Sequence, residues 1–123
     1  YRTPKEVMRV AEPVIRAVLP DANVPRAVRA SGLSVVQDSV DRLDEILADW
    51  LADYADGIAC VIGNASPATD DPRVRVLPAE LTKGLEFDLV VLVRPEDLGD
   101  GIEGAVDRYV AMTRATSQLA ILR

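Results

Sequence analysis

The fold of this protein is decided by the stretch Leu81-Thr82-Lys83-Gly84-Leu85-Glu86-Phe87-Asp88-Leu89-Val90-Val91-Leu92. A polar turn containing Lys83, Gly84 and Glu86 leads directly into an apolar run rich in β-branched residues. Such a run, without polar alternation, is typical of a strand buried on both faces of a parallel sheet. Functional groups of open α/β sheets collect where strands meet loops and helix ends. The stretch therefore predicts an α/β domain with functional residues in the turn.

The composition indicates one globular domain. The chain has 123 residues, of which 49% are hydrophobic and 28% charged, which is typical of neither a disordered nor a membrane protein. No apolar run approaches the roughly 20 residues of a membrane helix, and no secretory signal opens the chain. We expect a cytoplasmic domain without membrane contact, and the absence of an initial Met suggests a piece of a longer protein. The net charge of −6 argues against a whole-surface nucleic-acid binder but leaves room for a local basic groove.

The sequence gives little support for a metal site or a reactive thiol. Cys60 is the only cysteine and histidine is absent, which excludes disulfides within the chain and His/Cys zinc sites. An apolar neighbourhood makes Cys60 a core residue rather than a nucleophile. We expect Trp50 to be a core residue rather than one that stacks on a ligand. The Asp70-Asp71 pair is more simply explained as a solvated part of a loop than as a metal site. We predict no metal ligands.

Helical and strand patterns alternate along the chain. The segment Thr3-Pro4-Lys5-Glu6 predicts a helix start with a capping threonine, a proline at the first helical position and a glutamate that completes a capping box. That helix should kink or break at Pro13 and end near Pro20. Further helices are predicted over 40–54 and 103–115, with strands over 26–30, 58–62, 74–77, 89–93 and 117–122. The order predicts a three-layer α/β fold with a mainly parallel sheet.

Three blocks of the sequence resemble superfamily 1 helicases of the UvrD/Rep-like kind. They correspond to motif IV at Tyr1–Val7, motif V at Thr82–Val91 and motif VI at Tyr109–Ala115. The resemblance implies that residues 1–123 form a single RecA-like domain, the C-terminal domain called 2A. The phosphate-loop pattern G-x-x-x-x-G-K-[ST] is absent from the sequence. The resemblance assigns that loop, and the Mg²⁺ that accompanies ATP, to a first RecA-like domain elsewhere in the same protein.

The resemblance also implies roles for five residues. Tyr1 would stack on the adenine of ATP, and Arg2 would reach the γ-phosphate. Glu86 would accept a hydrogen bond from a ribose hydroxyl, and Gly84 would allow close backbone approach. Arg114 would be the arginine finger, because a planar, permanently charged guanidinium stabilises the charge of the transferring phosphoryl group.

Simpler interpretations of these residues stay open. An arginine near a helix end often caps carbonyls, which applies to Arg114. Glu86 could be a helix-cap carboxylate and Lys83 a solvated turn residue, while Tyr109 lies on an apolar helix face and is expected in the core.

The sequence departs from the family at two points. Pro78 and Glu80 stand where these helicases carry the Thr-x-His residues that help to hold single-stranded DNA. A proline cannot donate from its backbone and a carboxylate repels phosphates, so DNA translocation is in doubt and no nucleic-acid-binding residue is assigned. The spacing between Val7 and Thr82 leaves no room for the large 2B insertion. Both departures resemble the HelD-type, RNA-polymerase-associated subgroup, which remodels transcription complexes.

Three functions remain in competition. The first is the second motor domain of an ATP-dependent helicase-like enzyme, inactive as an isolated fragment, with the first RecA-like domain and DNA or RNA polymerase as partners. The second is a RecA-like binding module that docks on RNA polymerase or another protein without a catalytic role. The third is an ordinary single-domain nucleotide or small-molecule binder.

Overall fold

The computed structural model describes residues 3–27 and 29–123. Its helices are α1 (Lys5–Arg16), α2 (Leu43–Asp53) and α3 (Gly101–Met112). Its strands are β1 (Val36–Asp38), β2 (Ala59–Ile62), β3 (Val74–Leu77), β4 (Phe87–Val93) and β5 (Ala115–Leu122). Short 3₁₀ turns cover Val40–Arg42, Ala79–Leu81 and Pro95–Leu98.

The strands form one sheet in the order β1-β5-β4-β2-β3, and every pairing is parallel. Helices cover both faces, with α1 and α3 on one side and α2 on the other. The predicted three-layer α/β fold with a mainly parallel sheet is therefore confirmed.

β4 shows why an unbroken apolar run was required. Val90 and Leu92 lie in the core beneath α1 and α3, whereas Leu89, Val91 and Val93 lie in the core beneath α2. All five side chains are at most 2% exposed. Because the central strand is covered on both faces, polar alternation would place polar groups in one of the two cores. The prediction of a doubly buried strand is confirmed.

α1 differs from its prediction at both special positions. Pro4 is the N-cap rather than the first helical residue, and the helix runs through Pro13 to Arg16 without a break. A proline removes the bond to the carbonyl four residues earlier, here that of Arg9. Pro13 and Arg9 are both exposed, so water can satisfy that carbonyl. Of the expected kink or break, the break was wrong for this reason, and the helix ends at Arg16 rather than near Pro20.

The predicted capping box is also wrong. The Thr3 hydroxyl donates to the carbonyl of Thr113 at 3.0 Å instead of capping α1. The Glu6 carboxylate accepts from the backbone N–H groups of Ser31 and Gly32, at 3.0 and 2.9 Å. Both side chains therefore join α1 to distant segments.

Two boundaries move. The structure has no strand in the described part of 26–30, namely residues 26, 27, 29 and 30, and the sheet's edge strand is β1. β1 has three residues and is only half-buried at its ends, which explains its weak sequence signal. α3 stops at Met112 because the Thr113 hydroxyl bonds the carbonyls of Tyr109 and Val110, and Ala115 already belongs to β5.

Cys60 and Trp50 are core residues, as predicted. Cys60 is fully buried, and burial raises the pKa of its thiol to about 11. Trp50 is 6% exposed and stacks on Tyr54 with ring centroids 5.3 Å apart. A Cβ on Gly57 would come within 2.4 Å of the Trp50 ring, so glycine is needed where the chain turns from α2 into β2. Among the described residues, no helix is long and apolar enough to cross a membrane.

Candidate functional site

The parallel register brings two of the sequence blocks together. Phe87 pairs with Ala115 where β4 and β5 begin, and we call this end of the sheet the amino edge. Glu86 and Arg114 are the residues that immediately precede this pair. Because neighbouring strands lie about 4.8 Å apart, Glu86 and Arg114 occupy adjacent positions at the amino edge.

The turn before β4 has a backbone that favours glycine. Leu85 N–H donates to the carbonyl of Thr82 at 3.0 Å, and Gly84, the third residue of this turn, has φ +79°. A type II turn needs such a positive φ at its third position. A Cβ on Gly84 would meet nothing within 4 Å, so the backbone conformation favours glycine and a ligand could approach closely.

A buried hydrogen bond from the Thr82 side chain holds this turn. That side chain is fully buried, and its hydroxyl donates to the carbonyl of Ala79 at 2.6 Å. The bond joins the turn to the 3₁₀ turn before it. The turn is thereby restrained relative to that 3₁₀ turn.

The backbone of Arg114 is held from three directions. Its N–H donates to the carbonyl of Ala111 at 3.2 Å, and its carbonyl accepts from Phe87 N–H at 2.9 Å. The preceding carbonyl, that of Thr113, accepts from the Thr3 hydroxyl. α3, β4 and the start of α1 therefore fix the position from which the Arg114 side chain leaves the backbone.

The Arg114 side chain spans the gap between motif VI and the turn. Nε donates to the carbonyl of Val110 at 3.1 Å, which is the helix-end cap foreseen as the simpler interpretation. Nη1 lies 3.5 Å from the carbonyl of Leu85, and Nη2 lies 3.4 Å from the Thr113 hydroxyl. The last two distances are at the outer limit of hydrogen bonding. The guanidinium is thus half-buried and held by weak contacts at its tip.

A shallow cleft of about 360 Å³ opens beside Glu86. It is lined by Ile58, Arg75, Leu85, Glu86, Phe87, Asp88 and Thr116. Glu86 and Arg75 are both exposed there. A carboxylate accepts hydrogen bonds from sugar hydroxyls, and guanidinium groups bind phosphates. The amino edge therefore carries the donor and acceptor types that a nucleotide requires.

Sequence reasoning gave no role to Asp88, which organises the cleft. Its Oδ2 accepts from the backbone N–H of Ile58 at 2.8 Å and ties the start of β2 to β4. The β4–β5 register shifts between Phe87 and Leu89 at this position. A carboxylate inside an apolar run was the available signal.

The structure describes some of the other residues singled out in the sequence, but not all of them. Tyr1 and Arg2 lie outside the described residues. Lys83 is exposed in the turn, and Tyr109 is half-buried against the core beneath α1 and α3, as expected. Asp71 accepts from Arg73 N–H at 2.8 Å in its loop. The described residues contain no cluster of three or more acidic or cysteine side chains suited to a metal ion.

Residues 18–123 match the family described as the viral superfamily 1 RNA helicase core domain. The chain belongs to the superfamily 1 helicases. The matched range contains the motif V turn and Arg114 and begins after the motif IV block. No curated protein matches this superfamily 1 domain.

A solved structure shares the fold of this superfamily 1 domain. It is the C-terminal domain of a possible DNA helicase from Lactobacillus plantarum WCFS1, with a TM-score of 0.62 and 19% identity. The match covers 99% of this chain and 86% of that one. At this identity the likeness concerns the fold, and it identifies the three-layer architecture as that of a helicase RecA-like domain.

The departures from the family lie at the opposite end of the sheet. Pro78 and Glu80 follow β3 and line a groove of about 470 Å³. The groove lies where β2, β3 and β4 finish, which we call the carboxyl edge. Pro78 and Glu80 are both exposed. They therefore face solvent at the end of the sheet opposite to Glu86 and Arg114.

Proposed function

We propose that residues 1–123 are the second RecA-like domain of a two-domain, superfamily 1 ATPase and that Arg114 is its arginine finger. One observation carries this proposal: the strand register makes Glu86 and Arg114 neighbours at an edge where backbone bonds from three elements fix Arg114. ATP hydrolysis would then occur between this edge and the first domain of the same protein.

The chemistry of phosphoryl transfer suits this arrangement. Negative charge spreads over the γ-phosphate oxygens in the transition state, and catalysis consists mainly of positioning and charge stabilisation. A guanidinium remains charged at any physiological pH and offers N–H donors in a planar fork. Because weak contacts hold its tip, Arg114 can exchange the carbonyl of Leu85 for a phosphate oxygen at a small energetic penalty.

The other predicted residues contact the rest of the nucleotide. Glu86 accepts from a ribose hydroxyl, and Gly84 allows the backbone to approach the ligand. Tyr1 stacks on the adenine and Arg2 reaches the γ-phosphate in this proposal. The first domain supplies the phosphate loop and holds Mg²⁺, which neutralises phosphate charge when it is bound.

Two exposed leucines at the turn support a covered surface there. Leu81 precedes the turn and Leu85 is its last residue, and they are 59% and 43% exposed. Large apolar side chains grouped at the surface favour an interaction site. The first RecA-like domain is the partner that this proposal requires at that surface.

The decisive experiment is Arg114→Ala in the full-length protein. We expect kcat for ATP hydrolysis to fall by roughly 10³- to 10⁵-fold, or about 4–7 kcal/mol in the activation barrier. The matched control is Arg123→Ala, which removes an exposed arginine from the other end of β5. Near-normal turnover by a folded Arg114→Ala protein would reject the finger assignment.

A second candidate function is favoured by the carboxyl edge. With Pro78 and Glu80 exposed there and a net charge of −6, we propose that the parent enzyme remodels RNA polymerase complexes, like the HelD-type subgroup, rather than unwinding DNA. In its non-catalytic form, this candidate is a binding module that docks on RNA polymerase. Binding to purified RNA polymerase and strand separation of a tailed duplex distinguish the possibilities. Efficient unwinding without polymerase binding would exclude this candidate.

A further inference from the structure

We propose that Thr3 is a positioning residue for Arg114, acting through the carbonyl of Thr113. The inference rests on the proposed role of Arg114 and extends it to a residue more than one hundred positions away in sequence. Thr3 would not touch the nucleotide itself.

The buried polar side chains of the described chain are all threonines. They are Thr3, Thr82, Thr113 and Thr116. Thr82 holds the turn before β4, and the other three surround the start of β5. The Thr116 hydroxyl donates to the carbonyl of Phe87 at 3.2 Å, and Thr113 and Thr116 lie before and after Arg114 along the chain. Buried hydroxyls thus brace the amino edge on both sides of the proposed finger.

The Thr3 bond satisfies a carbonyl that α3 leaves without a helical partner. The last carbonyls of a helix have no intrahelical donor, and Thr113 is the C-cap of α3. The Thr3 hydroxyl reaches the Thr113 carbonyl at 3.0 Å, and Thr3 itself is 4% exposed. This carbonyl belongs to the peptide group that ends at Arg114 N, so the bond fixes the plane from which Arg114 departs.

Thr3 is itself well placed to act as an anchor. Two residues later, Lys5 N–H donates to the carbonyl of Arg29 at 2.8 Å. The Arg29 guanidinium donates to the carbonyl of Thr116. The start of α1 is therefore tied to β5 by two routes, and removal of the Thr3 hydroxyl would disturb the peptide beside Arg114 while the second route remains.

The test uses Thr3→Val, which keeps the shape of the side chain and removes the donor, in the full-length protein. A misplacement of about 1 Å can lower a rate by about 10²-fold, so we expect kcat to fall by roughly 10- to 100-fold with little change in the KM for ATP. Thr3→Ser keeps the hydroxyl and should restore most of the rate. Ile62→Val, a small core change at the other end of the sheet, controls for lost stability.

A double-variant comparison separates this inference from the proposed function. In an Arg114→Ala background, Thr3→Val should cause no further loss, because a positioning residue cannot act through an absent side chain. Wild-type kcat in Thr3→Val, or an equal further loss in the double variant, would overturn the inference alone. Wild-type kcat in Arg114→Ala would overturn the proposed function and the inference with it. If Thr3→Val does not fold, Thr3→Ala compared with Thr3→Ser provides the same measurement.

Discussion

The two edges of the sheet are built differently, although the same five strands form both. At the amino edge, buried threonine hydroxyls brace the backbone, and Glu86 and Arg114 stand side by side above them. At the carboxyl edge, the groove after β3 is lined by exposed Pro78 and Glu80, with no buried polar side chain among the described residues. Buried threonine hydroxyls thus hold the backbone at one edge, whereas the groove at the other edge is lined by exposed charged side chains.

The contrast matters because parallel sheets usually bind ligands at their carboxyl ends, where the chain's crossovers change direction. Here the connection from β2 leads outward to β3, whereas that from β4 leads the other way to β5. The carboxyl-edge groove lies at this switch point and carries two carboxylates, Glu80 and Asp97, and one arginine, Arg94. The amino edge carries two arginines that suit phosphates, Arg114 and Arg75, beside the carboxylates Glu86 and Asp88. The proposed nucleotide contacts therefore lie at the edge opposite to the switch point.

After Arg114→Ala, the largest effect expected at the amino edge comes from Glu86→Ala. Loss of a hydrogen bond to a charged group weakens binding by about 1.5–3 kcal/mol, so kcat/KM for ATP should fall roughly 10- to 100-fold. The wild-type enzyme should prefer ATP over one of its 2′- or 3′-deoxy analogues, and the variant should lose that preference. Glu103→Ala, in the first turn of α3, is the control. An unchanged preference in Glu86→Ala would show that Glu86 does not contact the ribose.

A smaller effect is expected at the carboxyl edge from Glu80→Lys. The change removes a carboxylate that repels phosphates and adds an ammonium, so single-stranded DNA should bind several-fold more tightly. Each new phosphate contact with a single strand steepens the dependence of log K on log salt by about 0.7. Fluorescence anisotropy with an oligothymidine over a salt series measures both quantities. Glu103→Lys controls for net charge, and equal gains in the two variants would mean that the groove is no special barrier to nucleic acid.

The sequence predicts the central strand β4 and the turn before it better than the elements around them. β4 and the residues of motif V carry strong local signals, namely an uninterrupted apolar run and a glycine turn, and the parallel register then makes Glu86 and Arg114 neighbours. β1 has no such signal, because a three-residue edge strand is half-buried and short.

The hydrogen bonds of Thr3 and Glu6 could not be predicted from the sequence, because their partners are distant along the chain. Thr3 and Glu6 fit a local capping box in pattern, yet Thr3 bonds Thr113, 110 residues away, and Glu6 bonds Ser31, 25 residues away. Local pattern rules compare neighbours a few positions apart, so they assign a side chain to its own helix whenever the spacing allows. Only the tertiary fold reveals that these two side chains act elsewhere.

The smallest predicted effect concerns the hydrogen bonds from Ser31 and Gly32 to the Glu6 carboxylate, which we call the Glu6 clamp, and their dependence on pH. The backbone N–H of Glu6 itself, then those of Ser31 and Gly32, hold the pKa of its carboxyl below the ordinary 4.5. A carboxyl with a lowered folded-state pKa stabilises the fold fully above its unfolded pKa and loses that contribution as pH falls through the folded value. The contribution should therefore be present at pH 7 and decline below pH 4.5.

Hydrogen exchange in Glu6→Gln tests whether this clamp acts on the amino edge alone. At pH 7 the amides of Ser31 and Gly32 should exchange faster than in the wild type, because a neutral amide is a weaker acceptor than a carboxylate. Amides after β4, at the carboxyl edge, should not change. Glu12→Gln is the matched control, since Glu12 lies on the same helix and pairs only with exposed Arg16 at 2.8 Å among the contacts described. Equal protection of residues 31 and 32 in both variants would mean that the clamp does not hold the segment, and the amino edge would then rely on its threonines.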